Sequence, residues 1–357
     1  MTTTGLFSPL TLRGRCFENR IVVSPMSLYE ATEEGLPTSF HDMHYGTLAL
    51  AGPGLVVLEA TYVSPEARST PGDLGLWNDA QEEALASLLS RCRPLSGALY
   101  GLQLAHGGRK ASGPVAWRPV TVPDWPLLAA SAYTFQGMRM PRAMTKEDIA
   151  QVIEDHTAAA ARAARAGFDY LELHAGHGYL LHGFLSPISN LRDDGWGGDL
   201  EGRMRLVLEV VAAVRRAWPD DRALGVRISA TDWVDGGWDL DQSIVLSRRL
   251  KEAGCDIVTA SSGGSSERQV IPRRPGYQTG LASAIRMEAG IATLAVGMIR
   301  EPALADYIVS SGQADLVGIG RAMILDPRWP WKAAQRLGAP LSYPPSYERA
   351  IREFQPR

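Results

Sequence analysis

Cysteine is scarce: Cys16, Cys92 and Cys255 are the three in 357 residues, and they stand far apart with no CxxC or metal-ligand spacing. That pattern argues against a disulfide scaffold, a zinc site or an iron–sulfur cluster. No run of ~18 consecutive apolar residues occurs, so no membrane span is expected. The amino-terminal MTTTGLFSPLTLRGR lacks the charged start and long apolar stretch of a secretory signal, and a cytoplasmic setting is expected. Charge of one sign is lacking too. The formal net charge is -3, which argues against a nucleic-acid surface or a polybasic membrane patch. Lysine is limited to Lys110, Lys146, Lys251 and Lys332, and the arginines are scattered among acids, as on a solvated surface.

What remains is an ordinary globular composition, 45% hydrophobic and 21% charged, able to bury a large core. Apolar runs alternate with amphipathic helical stretches. The strand candidates are RIVVSPM, GLVVLEATYV, GALYGLQLA, FDYLELH, ALGVRIS, CDIVTAS, ATLAVGM and DLVGIG. Helical patterns such as EDIAQVIEDHTAAAARAARAG and GRMRLVLEVVAAVRRAW lie between most of them. Strands this continuously apolar, each followed by a helix, predict an α/β fold, a (β/α)8 TIM barrel forming a single domain over residues 1–357. Two segments exceed the repeat. LFSPLTLRGRCFENR reads as a hairpin capping the barrel bottom, and the Pro-rich 112–142 stretch, with Trp117 and Trp125, reads as a long loop after strand three.

Function in such a barrel sits at the C-terminal strand ends. Strand one ends in Ser24, Pro25, Met26 and Ser27, with Tyr29 beyond; strand two reaches Glu59 and Ala60, and strand three Gln103 and His106. Strand four delivers His174, His177 and Tyr179, with His182 after them, although the whole chain has seven histidines. Strand five carries Arg227, a cation that is costly to bury without an anionic partner. Strands seven and eight end at Gly297 and at Gly320–Arg321, where close backbone approach and a guanidinium suit a phosphate.

LFSPLTLRG, NRIVVSPM, GLQLAHGGRKAS, AGFDYLELHAGHGYLLHGFLSPISNLRDDGWGGDLEGRMR, GVRISATD, AVGMI and GIGRAMILDP, in this order, resemble the Old Yellow Enzymes, specifically the bacterial thermophilic-like subclass. The resemblance implies noncovalent FMN, hydride from NADPH or NADH, and small substrates whose C=C bond is conjugated to an electron-withdrawing group. It further implies that Ser24 to Ser27, Ala60 and Gln103 contact the flavin ring. Arg227 would lie near its N1 and C2 carbonyl, and Gly297, Gly320 and Arg321 would hold the phosphate. His174 and His177 resemble the pair that binds the substrate's carbonyl or nitro oxygen, Tyr179 the proton donor, and Tyr29 a substrate-side aromatic. Hydride addition at Cβ makes an enolate, so donors on the oxygen and an acid near Cα are what that chemistry needs. PPSYERAIREF resembles a tail in which an arginine, here Arg349, reaches a neighbouring subunit's active site, implying a homodimer or homotetramer; an exposed tail arginine is the other reading.

Two features depart from the subclass. Ser27 stands where cysteine is common there and threonine in other branches, and the 112–142 loop is longer than usual. Other readings stay open at this stage. Arg227 could bridge Glu59 or Asp232, His182 reads as structural, His106 as a loop bridge or a flavin neighbour, and both tryptophans as packing residues. Related flavin barrels dehydrogenate amines or reduce dienoyl-CoA, the latter with an iron–sulfur site that this chain lacks. A phosphate-binding aldolase barrel would need a strand-end Schiff-base lysine, and a non-catalytic flavin carrier would not need the His/His/Tyr cluster.

Overall fold

The computed structural model describes residues 5–354 except 116, 118, 136 and 341, with side chains to residue 351. Eight parallel strands adjoin in chain order: β1 (Ile21–Val23), β2 (Leu55–Tyr62), β3 (Leu99–Ala105), β4 (Tyr170–Ala175), β5 (Ala223–Ser229), β6 (Ile257–Ser261), β7 (Ala292–Ala295) and β8 (Leu316–Ile319). The sheet closes because β1 pairs on both sides, Val22 opposite Leu55 and Ile21 opposite Val317. All eight expected strands are present. Every residue of β2 is buried, as a parallel strand covered on both faces requires.

Helices α1 (Ser39–Ala49), α2 (Asp79–Cys92), α3 (Lys146–Ala166), α4 (Leu180–Leu185), α5 (Leu200–Ala217), α6 (Leu240–Glu252), α7 (Thr279–Ala289) and α8 (Pro302–Ser310) follow successive strands, α4 being a short extra turn after β4. After β8 come α9 (Arg321–Leu325), α10 (Trp329–Leu337) and, in the C-terminal tail, α11 (Glu348–Phe354). α3 shows the local logic. The Asp148 N–H donates to Thr145 Oγ1 at 3.2 Å while the Thr145 N–H donates back to the Asp148 carboxylate at 2.7 Å. Such a cap contributes ~1 kcal/mol, and Gly167 ends the helix at φ +97°. The buried stripe of Ile149, Val152, His156, Ala159 and Ala163 follows helical spacing and lets α3 pack on α2 and α5.

One core lies between strands and helices. A second fills the barrel floor with Val22, Leu55, Tyr170, Ile257 and Leu316, plugged from below by Phe17 of the expected hairpin, Leu10–Leu12 paired with Arg15–Phe17. Side-chain alternation above Tyr170 then turns Glu172 and His174 to the barrel interior. The long loop after β3 is tied down. Leu128–Ala129 pairs with Arg142–Ala143, and the Arg68 guanidinium carbon stands 4.6 Å over Trp125 and 5.1 Å over Trp77. Among the described residues no helix is long and apolar enough to cross a membrane.

Candidate active site

A cavity of about 270 Å³ opens at the C-terminal ends of β1, β5, β6, β7 and β8. Ser24, Pro25 and Met26 form one wall, Val296 to Arg300 and Gly318 to Ala322 the other, with Arg227 and His177 at the inner end. Gly297 has φ +113°, and a Cβ there would lie 2.9 Å from Gln278 Nε2, so the turn needs glycine. A Cβ on Gly318 would meet Ser24 Oγ at 2.5 Å, which keeps β1 and β8 close. Gly320 precedes α9, and Arg321 and Arg300 line the same end with no side-chain ion pair or hydrogen bond among the described residues. Two free guanidiniums beside glycine turns suit a phosphate.

Arg227 sits on β5 directly opposite His174 on β4. Its Nε is buried without a hydrogen-bond partner among the described residues. Burial lowers its pKa, opposed by the nearby Glu172 charge. Neither bridge considered from sequence forms: Glu59 faces His41 Nε2 at 3.2 Å, and Asp232 faces His182 Nε2 at 3.1 Å. A guanidinium that lines the cavity, with its buried Nε unpartnered among the described residues, fits an acceptor-rich group such as the N1 and C2 carbonyl edge of a flavin. Glu172 meanwhile accepts from Gln103 Nε2 at 2.7 Å and from Thr259 Oγ1 at 2.5 Å. Ala60 and Gln103 are register partners on β2 and β3 and, like Ser27, lie outside the lining of the cavity. The Ser27 hydroxyl is near enough to the Tyr29 phenol to lower its pKa against burial.

The cluster after β4 does assemble. The His174 imidazole lies edge-on to His177, with centroids 5.0 Å apart, and to Tyr179 at 4.9 Å. The Gly176 N–H donates to His174 Nδ1 at 3.2 Å, which puts the proton of a neutral ring on Nε2. His177 adopts φ +56°, held there by its N–H donating to Ser229 Oγ at 2.8 Å and its carbonyl accepting from Lys110 Nζ at 2.6 Å. Its Nε2 is engaged by Ser261 Oγ at 2.7 Å, leaving Nδ1 without a protein partner among the described residues. Burial, then the Arg227 charge, holds both imidazoles well below the usual histidine range, so they are neutral hydrogen-bond donors near neutral pH. Burial raises the Tyr179 phenol against hydrogen bonds from Ser69 and Tyr62, so it keeps its proton.

Tyr29, with φ +58°, is pushed up to about 12 by burial and stands 5.3 Å from the exposed Trp117 ring. Trp117 therefore reaches the site mouth, whereas Trp125 packs against Arg68. His182 is structural, accepting from the Gly178 N–H at 2.8 Å and facing Asp232. The His106 imidazole accepts from the Gly108 N–H at 3.0 Å within its own turn, while the backbone carbonyl of the residue accepts from the Leu180 N–H at 3.0 Å. Arg349 is exposed on α11 and does not line the cavity.

Several residues were not legible as site residues: Lys110, Glu172, Ser261, Tyr277, Gln278 and Arg300. The serines of TASS at the end of strand six were the available signal. Lys110 follows a turn whose return onto β4 no local pattern announces.

Residues 5–339 match the NADH:flavin oxidoreductase / NADH oxidase family. The chain is 42% identical over 355 residues to an NADPH dehydrogenase of Geobacillus sp. (strain WCH70), covering 98% of this chain and 99% of the relative. It is 40% identical over 346 residues to an NADPH dehydrogenase of Bacillus subtilis (strain 168), covering 96% and 98%. Among solved structures it is similar to morphinone reductase, with TM-score 0.80 and 30% identity over 97% of this chain and 93% of that one. It also resembles an old yellow enzyme homologue from Zymomonas mobilis, with TM-score 0.77 and 27% identity over 95% and 94%. The chain thus belongs to the NADH:flavin oxidoreductase / NADH oxidase family, the Old Yellow Enzymes, and is an oxidoreductase that works with FMN and a nicotinamide dinucleotide.

Proposed function

We propose that this protein is an ene-reductase acting on C=C bonds activated by a carbonyl or nitro group, such as enones, maleimides and nitroalkenes. FMN, bound noncovalently, supplies the relay of hydride from NADPH or NADH to the substrate. Ser24, Pro25, Met26, Ser27, Ala60, Gln103 and Arg227 take its ring system, and Gly297, Gly320 and Arg321 take its phosphate. The orphaned Arg227 Nε and the free guanidinium of Arg321 support this arrangement.

His174 Nε2 and His177 Nδ1, on neutral rings and without a protein acceptor among the described residues, donate to the activating oxygen and stabilise the charge that builds there. Tyr179 then delivers its phenolic proton to Cα, and Tyr29 flanks the substrate. The observation that carries the reading is the convergence of His174, His177 and Tyr179 beside Arg227 on adjoining strand ends. Residues 1–357 form one FMN-binding domain with a 338–357 tail, in a cytoplasmic homodimer or homotetramer where Arg349 reaches a neighbouring substrate site.

The test is the visible spectrum of the purified protein, followed by anaerobic addition of each nicotinamide and reoxidation by a cyclic enone, a maleimide, a nitroalkene or oxygen. A flavin spectrum bleached by NADPH or NADH and restored by the enone supports the reading. Restoration by oxygen alone contradicts it.

A further inference from the structure

Lys110 ends the turn that leaves β3, yet its side chain serves two other strand ends. The Nζ donates to the His177 carbonyl at 2.6 Å, after β4, and to the Gly264 carbonyl, after β6. Those two loops touch backbone to backbone: a Cβ on Gly264 would lie 2.6 Å from His177 Cα. His177 holds φ +56°, a left-handed conformation that a non-glycine residue adopts only where its surroundings enforce it. Its N–H is tied to Ser229 Oγ at 2.8 Å and its carbonyl to Lys110, so the ammonium is one of the two backbone ties that set the direction of the ring.

Lys110 is half-buried and forms no ion pair among the described residues, an uncommon setting for an ammonium. An aromatic ring of the long loop covers it instead. The Phe135 centroid lies 4.0 Å from Lys110 Nζ and 5.4 Å from the guanidinium carbon of Arg109, and the Tyr133 centroid stands 5.5 Å from that same carbon. Arg109 in turn donates to the Ser265 carbonyl at 2.6 Å, next to Gly264. The 112–142 loop therefore docks on two adjacent cations that hold the backbone beyond β4 and β6. Its earlier part meets Tyr29 through Trp117, so the loop touches the site at two points.

We propose that Lys110 is a positioning residue for the oxygen-binding pair and that Phe135 couples the long loop to it. Phe135 shields the ammonium from water, the ammonium fixes the His177 carbonyl, and His177 Nδ1 is thereby kept turned to the substrate oxygen. This rests on the reading of His177 as an oxygen donor. A hydrogen bond from an ammonium to a carbonyl strengthens as water is excluded from it. An aliphatic side chain at position 135 would also exclude water but would lack the attraction of a ring face for the cation. The loop then sets how firmly an activating oxygen is held, and with it which substrates are accepted.

The experiment uses the FMN-loaded enzyme with Lys110→Met, Lys110→Arg, Phe135→Leu, Phe135→Tyr, His177→Ala and the double variants Lys110→Met/His177→Ala and Lys110→Met/Phe135→Leu. Binding of a phenol is read from charge-transfer absorbance, and reoxidation by a cyclic enone from anaerobic stopped-flow over a range of enone concentrations. Lys110→Met should bind the phenol about tenfold more weakly, as for the loss of one charge-assisted hydrogen bond, and raise the enone concentration at half-maximal rate by a similar factor. Phe135→Leu should weaken both about threefold, as for the loss of a cation–π contact. Lys110→Arg, which keeps the donors, and Phe135→Tyr, which keeps the ring, should restore wild-type values. Lys110→Met should add nothing once His177 is Ala, and Phe135→Leu nothing once Lys110 is Met. Wild-type phenol binding in Lys110→Met, or losses that add in the double variants as a general loss of packing would, overturns this inference alone while His177→Ala stays impaired. Should Lys110→Met fail to hold FMN, unweakened phenol binding in Phe135→Leu overturns it in the same way. Normal phenol binding and reoxidation in His177→Ala overturns the oxygen-donor reading and this inference together.

Discussion

The Tyr179 phenol ring stands at right angles to the His174 imidazole, with centroids 4.9 Å apart and an interplanar angle of 87°. His174 meets His177 in the same way at 88°, so one ring sets the orientation of the other two. Edge-to-face contacts of this kind contribute ~0.5–1.5 kcal/mol each. The proposed oxygen-binding pair and acid are therefore one packed unit at the C-terminal end of β4 and in the turn that follows it.

Replacing His174 with alanine removes an oxygen donor and the surface that Tyr179 packs on. Phenolic inhibitors should bind at least ~10-fold more weakly, as expected for losing a hydrogen bond and its packing. Hydride transfer to an enone should slow, with reduction by NADPH less affected. Titration of the charge-transfer absorbance with a phenol checks this; unchanged affinity would remove His174 from the oxygen site.

Arg227→Met keeps an unbranched stem in place of the arginine's aliphatic part and removes the guanidinium with its charge. The variant should lose FMN on dilution, with affinity down roughly 10- to 100-fold, in the range of a charge-assisted hydrogen bond. The same substitution should leave folding of the apoprotein intact or improve it, because it removes a half-buried cation whose buried Nε is unpartnered among the described residues. Fluorescence titration with FMN and thermal melts of the apoprotein measure the two effects separately.

Ser27→Ala should leave FMN bound and shift its potential by roughly 20 mV, the equivalent of one hydrogen bond of ~1 kcal/mol in a two-electron couple. Peroxide should not alter the wild-type enzyme through this position, since a serine has no thiol to oxidise. Identical potentials in wild type and variant would remove the Ser27 hydroxyl from the flavin's surroundings.

Acid should weaken the fold through its buried histidines. Burial lowers His156 to about 4 and His106 to about 3, whereas the unfolded chain takes up those protons near ~6.5. Below that point the unfolded state binds more protons, so stability falls with pH until each folded value is passed, at ~1.4 kcal/mol per unit for each histidine. His156→Gln removes one such group and should flatten the fall of the urea midpoint between about pH 7 and about pH 5.

The strands were legible because residues such as Leu55–Tyr62 are buried on both faces and so read as apolar runs. Strand ends then gave Arg227, Gly297 and the histidine cluster by position alone. Side-chain partnerships were not legible. The register jump between Leu58 and Ala60 sets the buried Glu59 apart from the β2–β3 pairing, and its carboxylate accepts from the Leu28 N–H at 2.8 Å. It thereby anchors the loop that carries Ser27 and Tyr29, a link between residues 31 apart that no local pattern encodes. The two tryptophans of the long loop looked alike in sequence. One lies under Arg68 and the other beside Tyr29, a distinction that only the folded loop makes.

Anaerobic reoxidation of the NADPH-reduced enzyme by a cyclic enone, compared between wild type and Tyr179→Phe, tests the central claim most directly. The substitution removes a single hydroxyl from a ring that His174 still orients. Reoxidation should slow by ~10²–10⁴-fold while reduction and phenol binding persist, and a nitroalkene, whose nitronate is stable without immediate protonation, should be affected less. Reoxidation by the enone at the wild-type rate would show that the proton comes from elsewhere and contradict the account.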